Sequence, residues 1–337
     1  MVEIRSAHPV APDDLDAIRG LHRAAAHADG HESLGSAIWR DLDTGGQPGS
    51  AGALATEGDG LVGYAHIAPS DNFSPQHWTA GIVVDPVHRD GAVMVALLEG
   101  IAAHVAGHAA GSGAGEIVLW IVDPTDTDDA GASAAGFERS RDLLQMRVPL
   151  PLDEVARWPD GISARRFLPG IDEADWLAVN NRAFGNHPEQ GGWIATTLER
   201  RMSEPWFDPD GFLLAWADGT VAGRPAGLAG FNWTKIHPPD PGDGDAGAGD
   251  SGGGYSGDGY SGDGGLGEIF VIGVDPEHQG TGLGRALVLA GLESLAARGV
   301  RTGLLYVDGA NAPAVGLYEA LGFAVHRRDR AYRRIVA

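Results

Sequence analysis

The chain repeats one set of short sequence landmarks in its two halves, and this internal duplication restricts the folds that it can adopt. Three pairs of segments occur in the same order: Gly60–Tyr64 with Gly227–Phe231, Ile82–Pro86 with Ile272–Pro276, and Gly136–Phe137 with Gly322–Phe323. Their offsets are 167, 190 and 186 residues, so the second half carries about 23 additional residues between its first two landmarks. With 337 residues, the chain is long enough for two domains built on one plan.

The additional residues belong to a segment made almost entirely of Gly, Asp, Ser and Pro, which we place at residues 239–266. Such a segment buries too little apolar surface to offset the entropy lost on ordering, so we expect a flexible insert. The insert is either a lid beside a site or a tolerated surface loop. We predict a first domain over residues 1–150, a proline-punctuated linker over 151–160 and a second domain over 161–337.

Apolar periodicity predicts the same order of elements in each half. An amphipathic helical region (Asp13–His27 and Glu173–Phe184) precedes strands, an apolar strand that ends in Asp-Pro and a glycine-containing turn. In the second half, a helix at Gly284–Ala297 and a strand at Thr302–Val307 follow. This alternation predicts an α/β fold in two copies, with mixed central sheets flanked by helices.

Composition narrows the classes of partner. A net charge of −22 argues against a nucleic-acid surface, because phosphate binding needs clustered Lys and Arg. No stretch approaches the roughly 20 apolar residues of a membrane span, and the N-terminus lacks a signal-peptide pattern, so we expect a cytoplasmic protein without a membrane partner. The absence of cysteine excludes disulfides, thiolate metal sites and a cysteine nucleophile. We expect no bound metal and, given the internal duplication, a monomer.

The most specific segment, Val271–Leu287, reads as an apolar strand followed by a glycine-rich turn that opens a helix. This geometry directs backbone N–H groups and the positive end of the helix at one point, which suits a pyrophosphate. The spacing matches neither the dinucleotide fingerprint nor the phosphate loop of nucleotide hydrolases. Instead, Gln279–Gly284 resembles the cofactor signature of GNAT acetyltransferases, and Asn311–Phe323 matches the second signature of that family.

The resemblance implies a pair of tandem GNAT domains and acetyl-CoA as the co-substrate. It assigns acetyl-CoA binding to sixteen positions of the second half: Ile272, Gly273, Val274, Gln279, Gly280, Thr281, Gly282, Leu283, Gly284, Arg285, Asn311, Ala312, Pro313, Ala314, Val315 and Gly316.

Further blocks are similar to those of the mycothiol synthase family of tandem GNAT enzymes. They are Asn180–Phe184, His187–Trp193, Trp206–Gly211 and Trp233–Pro238, with a thinner likeness at Leu144–Arg147. That resemblance implies a small-molecule substrate, Cys-GlcN-Ins, whose cysteinyl amine is acetylated in the last step of mycothiol biosynthesis.

Direct acetyl transfer needs an uncharged amine and a proton for the departing thiolate, and two residues are candidates for these roles. Glu268, which enters an apolar strand, is either a general base or a solvent-facing strand end, and the resemblance implies the base. Tyr318 is either a packed aromatic or the general acid, and the resemblance favours the acid. A phenol with a pKa near 10 remains protonated at neutral pH and can protonate a thiolate. We expect backbone N–H groups around Gly273 and Val274 to polarise the thioester oxygen.

The resemblance also implies contacts with the acceptor. It carries over Glu189, Lys235, Glu268 and Tyr306 as substrate-binding residues. Members of the family contribute a further glutamate from their first half to this site. The corresponding position in this sequence is Ser36, and Glu32 lies nearby. Either Glu32 takes that role, or the contact at Ser36 is lost, or the correspondence is shifted there.

The first half departs from the second at each chemical position. Trp78 stands where the second half has Glu268, and Ala132 corresponds to Tyr318. Ala92 replaces one of the turn glycines, so close approach of a phosphate is compromised. Met94 replaces another. We therefore interpret the first half as a structural partner that binds acetyl-CoA poorly or not at all; any residual contacts would come from Ile82, Val83 and Val84.

Two other functions remain open at this point. One is a GNAT enzyme that acetylates a peptide, an aminoglycoside or another small amine. The other is a non-catalytic acyl-CoA-binding protein, which the pairing of Glu268 with Tyr318 disfavours.

Overall fold

The computed structural model describes residues 2–70, 76–109, 114–185, 190–219, 224–237 and 265–336. The strands of the first half are β1 (Val2–Ala7), β2 (Ala51–Glu57), β3 (Gly60–Pro69), β4 (His77–Val84), β5 (Gly115–Val122) and β6 (Glu138–Pro149). Those of the second half are β7 (Ile162–Arg166), β8 (Phe212–Ala217), β9 (Gly227–His237), β10 (Leu266–Val274), β11 (Thr302–Asp308) and β12 (Ala324–Val336). The helices are α1 (Pro12–Asp29), α2 (Ser36–Asp43), α3 (Ala92–Ala109), α4 (Asp126–Ala134), α5 (Glu173–Ala183), α6 (Ala195–Met202), α7 (Leu283–Ala297) and α8 (Ala312–Glu319).

Each half passes through the same series, βααβββαβαβ, which confirms the predicted α/β duplication. The helix predicted at Gly284–Ala297 is observed as α7 and begins one residue earlier, at Leu283. In both halves, a short 3-10 helix begins at the proline of the Asp-Pro pair and precedes the turn that leads into the long helix.

The strands of the two halves form one mixed sheet in the order β1-β2-β3-β4-β5-β12-β6-β11-β10-β9-β8-β7. The last strand of each half therefore pairs with the other half. β12 lies antiparallel to β5 from Val122 to Gly115, and β6 lies antiparallel to β11 from Pro149 to Leu143. β6 and β12 also pair with each other, so the exchanged strands form the centre of the sheet.

Helix α7 covers one face of the second half. Ile269 of β10 and Leu305 of β11 pack with Leu289 and Leu292 of α7 in a buried apolar cluster. On the opposite face, the aromatic side chains Trp176 and Trp233 are fully buried against Phe212 and Phe231. Because side chains alternate along a strand, the residues that flank Ile269 and Leu305 point away from α7.

The connection over residues 151–160 runs along α7. The Ala156 N–H donates to Glu293 Oε1 at 2.6 Å, and Arg285 Nε donates to Glu154 Oε1 at 2.8 Å. The segment is thus held against the helix that carries the glycine-rich turn. The boundaries 1–150, 151–160 and 161–337 stay a prediction, since the exchange of β6 and β12 spreads each half across the sheet. None of the described helices combines the length and apolarity needed to cross a bilayer.

Candidate active site

Strands β10 and β11 separate part-way along their length and leave an open edge in the sheet. Their parallel pairing runs from Leu266 to Ile269 of β10, opposite Thr302 to Leu305. On its other side, β10 continues to pair with β9 as far as Val274, with a bulge between Ile269 and Val271. The backbone of residues 272–274 is therefore anchored to β9 on one side and faces a gap on the other. Backbone amides at such a gap can bind an extended ligand that carries its own amide groups.

The glycine-rich turn follows directly and opens α7. Gly280 and Gly282 have φ of +74° and +85°, a region that side chains other than glycine rarely adopt. Gly282 is the N-cap residue and has no side chain that could cap the first turn. The Leu283 N–H donates to Thr281 Oγ1 at 3.4 Å, a neutral hydroxyl that does not repel an anion. The N–H groups of Gly284 and Arg285, in the same first turn of α7, are available at the positive end of the helix, which favours an anion.

Asp275, at the end of β10, holds the turn in place. Its buried carboxylate accepts hydrogen bonds from the Glu277 N–H at 3.0 Å and from Arg182 Nε at 2.9 Å. Arg285, which was predicted to bind the cofactor, directs its guanidinium to Glu154. The contribution that we expect from Arg285 to anion binding is therefore its backbone N–H in the first turn of α7.

Helix α8 borders the same opening. Asn311 caps it by accepting a hydrogen bond from the Ala314 N–H at 3.3 Å, and Leu317 lies next to the position of Gly284 on α7. Tyr318 is buried and its ring lies 5.7 Å from that of Phe323. Burial disfavours the phenolate and raises the pKa of Tyr318 to about 12, so the hydroxyl remains protonated throughout the ordinary pH range.

Glu268 is buried on the face of the sheet that points away from α7, with 5% of its surface exposed. Across β9 it is paired with Lys235, which is 4% exposed and whose Nζ lies 5.0 Å from the ring centroid of Trp206. His237 Nε2 lies 2.8 Å from Glu268 Oε2. The sequence indicated Glu268 and Lys235 but not His237. The i, i+2 spacing of Lys235 and His237 along one strand was the available signal, because it places both on one face.

Tyr306 lies on β11 on the same face as Glu268, two residues beyond the cross-strand partner of Glu268. Its hydroxyl accepts a hydrogen bond from Gln145 Nε2 at 2.8 Å, and Arg147 Nε donates to Gln145 Oε1 at 2.8 Å. Arg327 of β12, held by Asp329 at 2.8 Å, reaches the same hydroxyl at 3.4 Å. Gln145 and Arg147 belong to the first half, so the strand exchange brings polar groups of both halves to Tyr306.

The first half keeps the open edge but not the glycine-rich turn. β4 pairs with β5 only from His77 to Gly81, so residues 82–84 face a similar gap. At the start of α3, however, Asp90 Oδ1 accepts a hydrogen bond from the Ala92 N–H at 3.0 Å. A carboxylate in this position both occupies the helix N-terminus and repels a phosphate. Trp78 and Ala132 are packed in the apolar core of the first half.

Comparisons with known proteins agree with this geometry. The acetyltransferase (GNAT) family matches residues 176–323. The chain is 41% identical to a mycothiol acetyltransferase of Thermobispora bispora, over 99% of each chain. The chain belongs to the mycothiol acetyltransferase family. It is therefore an N-acetyltransferase. The GNAT family, whose model matches its second half, uses acetyl-CoA.

Solved structures share the fold of this mycothiol acetyltransferase family member. A GCN5-related N-acetyltransferase from Sphaerobacter thermophilus superposes with a TM-score of 0.69 at 24% identity, covering 99% of this chain and 96% of the other. A tandem GNAT protein from the clavulanic acid biosynthesis pathway superposes with a TM-score of 0.65 at 16% identity, covering 100% and 99%. Both likenesses confirm the predicted tandem GNAT fold.

Part of the predicted site falls outside the described residues. Glu189 and nearly all of the insert at 239–266 lie outside the described residues, and the side chain of Ser36 is not described. Glu32 lies in the loop between α1 and α2, and its contact with the substrate stays a prediction. Within the described ranges, no three His, Asp or Glu side chains converge as a metal site requires.

Proposed function

We propose that this enzyme acetylates the cysteinyl amine of Cys-GlcN-Ins with acetyl-CoA, as the last step of mycothiol biosynthesis. The observation that carries the proposal is the layout of β10, which holds a buried carboxylate, Glu268, continues into an open strand edge and ends at the glycine turn that opens α7. Full-length similarity to mycothiol acetyltransferases supports the choice of acceptor.

The gap between β10 and β11 has the features that acetyl-CoA needs. Backbone groups of Ile272, Gly273 and Val274 would hold its extended amide-containing arm, and the turn at Gly280–Gly284 would hold its pyrophosphate. The first turn of α8, from Asn311 to Gly316, would line the other side of the opening. When bound, acetyl-CoA supplies the acetyl group as a thioester.

The residues of the chain would then perform two proton transfers. Glu268 accepts the proton of the attacking amine, whose pKa of about 7.7–8.0 makes a carboxylate sufficient at neutral pH. Tyr318 donates its proton to the departing sulfur, since burial keeps the phenol protonated. The backbone N–H groups of Gly273 and Val274 would polarise the thioester oxygen.

The acceptor would lie on the face of the sheet away from α7. Lys235, Glu268 and Tyr306 share that face, and Glu189 would join them, together with Glu32 or Ser36 from the first half. The first half would act as a structural partner in a monomer. Two observations support the proposal that the first half neither binds acetyl-CoA nor catalyses transfer. The Asp90 carboxylate occupies the start of α3, and Trp78, in place of a base, is packed in the apolar core.

The test is an assay with acetyl-CoA and, separately, Cys-GlcN-Ins, glucosamine and a peptide panel. Free CoA is quantified by chromatography, because the acceptor carries its own thiol, and hydroxylamine treatment separates an amide product from a thioester. We expect turnover with Cys-GlcN-Ins at least tenfold above the other amines. Equal or greater turnover with a peptide or glucosamine would reassign the enzyme to that acceptor.

Glu268→Gln tests the base. General-base loss should lower kcat by about 10²–10⁴-fold while the acetyl-CoA Kd stays unchanged. Glu116→Gln is the matched control, because Glu116 Oε2 also lies near a histidine of a neighbouring strand, His77 Nε2 at 2.7 Å, between β5 and β4 of the first half. Unchanged turnover in Glu268→Gln would remove Glu268 from the mechanism.

A further inference from the structure

His237 ends β9 beside Glu268, in a place where a strand-end histidine could have faced solvent. Its side chain is instead 14% exposed and that of Glu268 is 7% exposed, with 2.8 Å between His237 Nε2 and Glu268 Oε2. The strands do not need this contact in order to pair, because the β9–β10 register already continues to His237 opposite Leu266. The side-chain bond is therefore additional to what holds the sheet together.

The chemistry of the two groups fixes the direction of this hydrogen bond. An ionised carboxylate only accepts, so His237 Nε2 must carry the hydrogen and donate it to Oε2. A donor to one oxygen fixes the rotation of the carboxyl group about its last bond. The other oxygen, Oε1, is then held at a defined orientation on the face of the sheet that also carries Lys235 and Tyr306.

We propose that His237 is a positioning residue for the acetyl transfer: it orients the Glu268 carboxylate so that one oxygen meets the acceptor amine. The proposal rests on the proposed role of Glu268 as the base. Lys235 is a less suitable orienting group, because its ammonium lies against the face of Trp206 and its chain has four rotatable carbons. An imidazole on a strand has only two side-chain torsions, so it fixes its partner at a smaller entropic cost.

The first test compares two substitutions of His237. His237→Leu removes the donor, and we expect kcat to fall by about 10- to 100-fold, since a misoriented general base loses most of its 10²–10⁴-fold contribution. The acetyl-CoA Kd should stay within about twofold. His237→Gln keeps an N–H donor at a similar reach, so we expect it to restore kcat to within a few-fold of the parent.

His77→Leu is the matched control. His77 pairs with Glu116 at 2.7 Å in the first half, so its loss removes a histidine–carboxylate contact of the same kind away from the proposed chemistry. We expect it to affect the unfolding free energy but not kcat. If His77→Leu lowers kcat as much as His237→Leu, or if His237→Gln is as impaired as His237→Leu, the positioning role is overturned.

A double-mutant cycle separates this inference from the proposed function. In the Glu268→Gln background, His237→Leu should change kcat by less than about twofold, because the oriented base is already gone. Independent, multiplying effects of the two substitutions would overturn the coupling. Full activity of Glu268→Gln would refute the proposed base itself, whereas an impaired Glu268→Gln beside a fully active His237→Leu would overturn the role of His237 alone.

Discussion

Gly282→Ala tests whether the turn before α7 is the acetyl-CoA pyrophosphate site. Gly282 has φ of +85°, and a Cβ added there meets no atom within 4 Å, so the substitution introduces backbone strain without a clash. An alanine in this left-handed conformation costs about 1–2 kcal/mol. Gly299, just beyond the other end of α7, has the same φ of +85° and the same open surroundings. Gly299→Ala is therefore a control of equal strain on the same helix.

The two substitutions should differ in whether the strain changes the free energy of unfolding or the affinity for acetyl-CoA. At Gly299, we expect a lower free energy of unfolding by about 1–2 kcal/mol and an acetyl-CoA Kd within about twofold of the parent. At Gly282, the exposed turn can relax in the free protein and must be restored before its N–H groups meet the anion. The strain then appears in binding, and 1–2 kcal/mol corresponds to an increase in the acetyl-CoA Kd of about 5- to 30-fold.

Calorimetric titration with acetyl-CoA measures Kd and stoichiometry, and urea unfolding measures stability in the same samples. The parent should bind one equivalent, because Asp90 already occupies the helix N-terminus in the first half. An unchanged Kd in Gly282→Ala, or an equal loss of affinity in Gly299→Ala, would refute the assignment of the turn. Two equivalent sites would refute the interpretation of the first half.

Three further outcomes follow from single groups. Tyr318→Phe should lower kcat by about 10²–10⁴-fold in steady-state kinetics, with little change in the KM for acetyl-CoA; a fully active variant would exclude the phenol as the acid. Because burial raises the pKa of Tyr318 to about 12, the acid is lost only as pH rises through that value, and kcat should not decline between about pH 8 and 10. The Arg165 guanidinium donates two hydrogen bonds of 2.6 Å to the Asp172 carboxylate and lowers its pKa. The ionised carboxylate therefore stabilises the fold above its unfolded pKa of about 3.9, and this stabilisation is lost as pH falls through the lowered folded-state pKa. Asp172→Asn should thus reduce the unfolding free energy by about 1–3 kcal/mol at pH 7 in urea titrations, with a difference that shrinks below about pH 4; a difference independent of pH would contradict this.

The sequence predicted the parts of the site that depend on local patterns. Asp275 and Pro276 end a strand, glycines at 280 and 282 permit a left-handed turn, and the Ala- and Leu-rich run that follows forms α7. Each of these preferences is set within a few residues, so a single sequence expresses it. The helix start differed by only one residue from the prediction, because Gly282 rather than Leu283 serves as the N-cap.

Contacts between distant residues could not be predicted in the same way. His237 and Glu268 are separated by 31 positions, most of them in the insert, and nothing local indicates that their side chains meet. The exchange of β6 and β12 is also invisible to periodicity, because either strand could pair within its own half with the same alternation. The two arrangements differ only in which side chains become neighbours across the sheet, such as Gln145 beside Tyr306 in the exchanged one.

The exchange gives a structural role to a first half that, as we propose, lacks a base, an acid and an open pyrophosphate turn. β11 carries Tyr306, and its partner opposite β10 is β6 of the first half. A second half alone would leave that strand edge unpaired and Tyr306 without the hydrogen bond from Gln145. Neither the replacement of the glycine-rich turn around Asp90 nor the presence of Trp78 in place of a carboxylate changes β6. A first half without chemistry of its own would therefore still supply β6 and Gln145 to the face of the second half on which we propose that the acceptor binds.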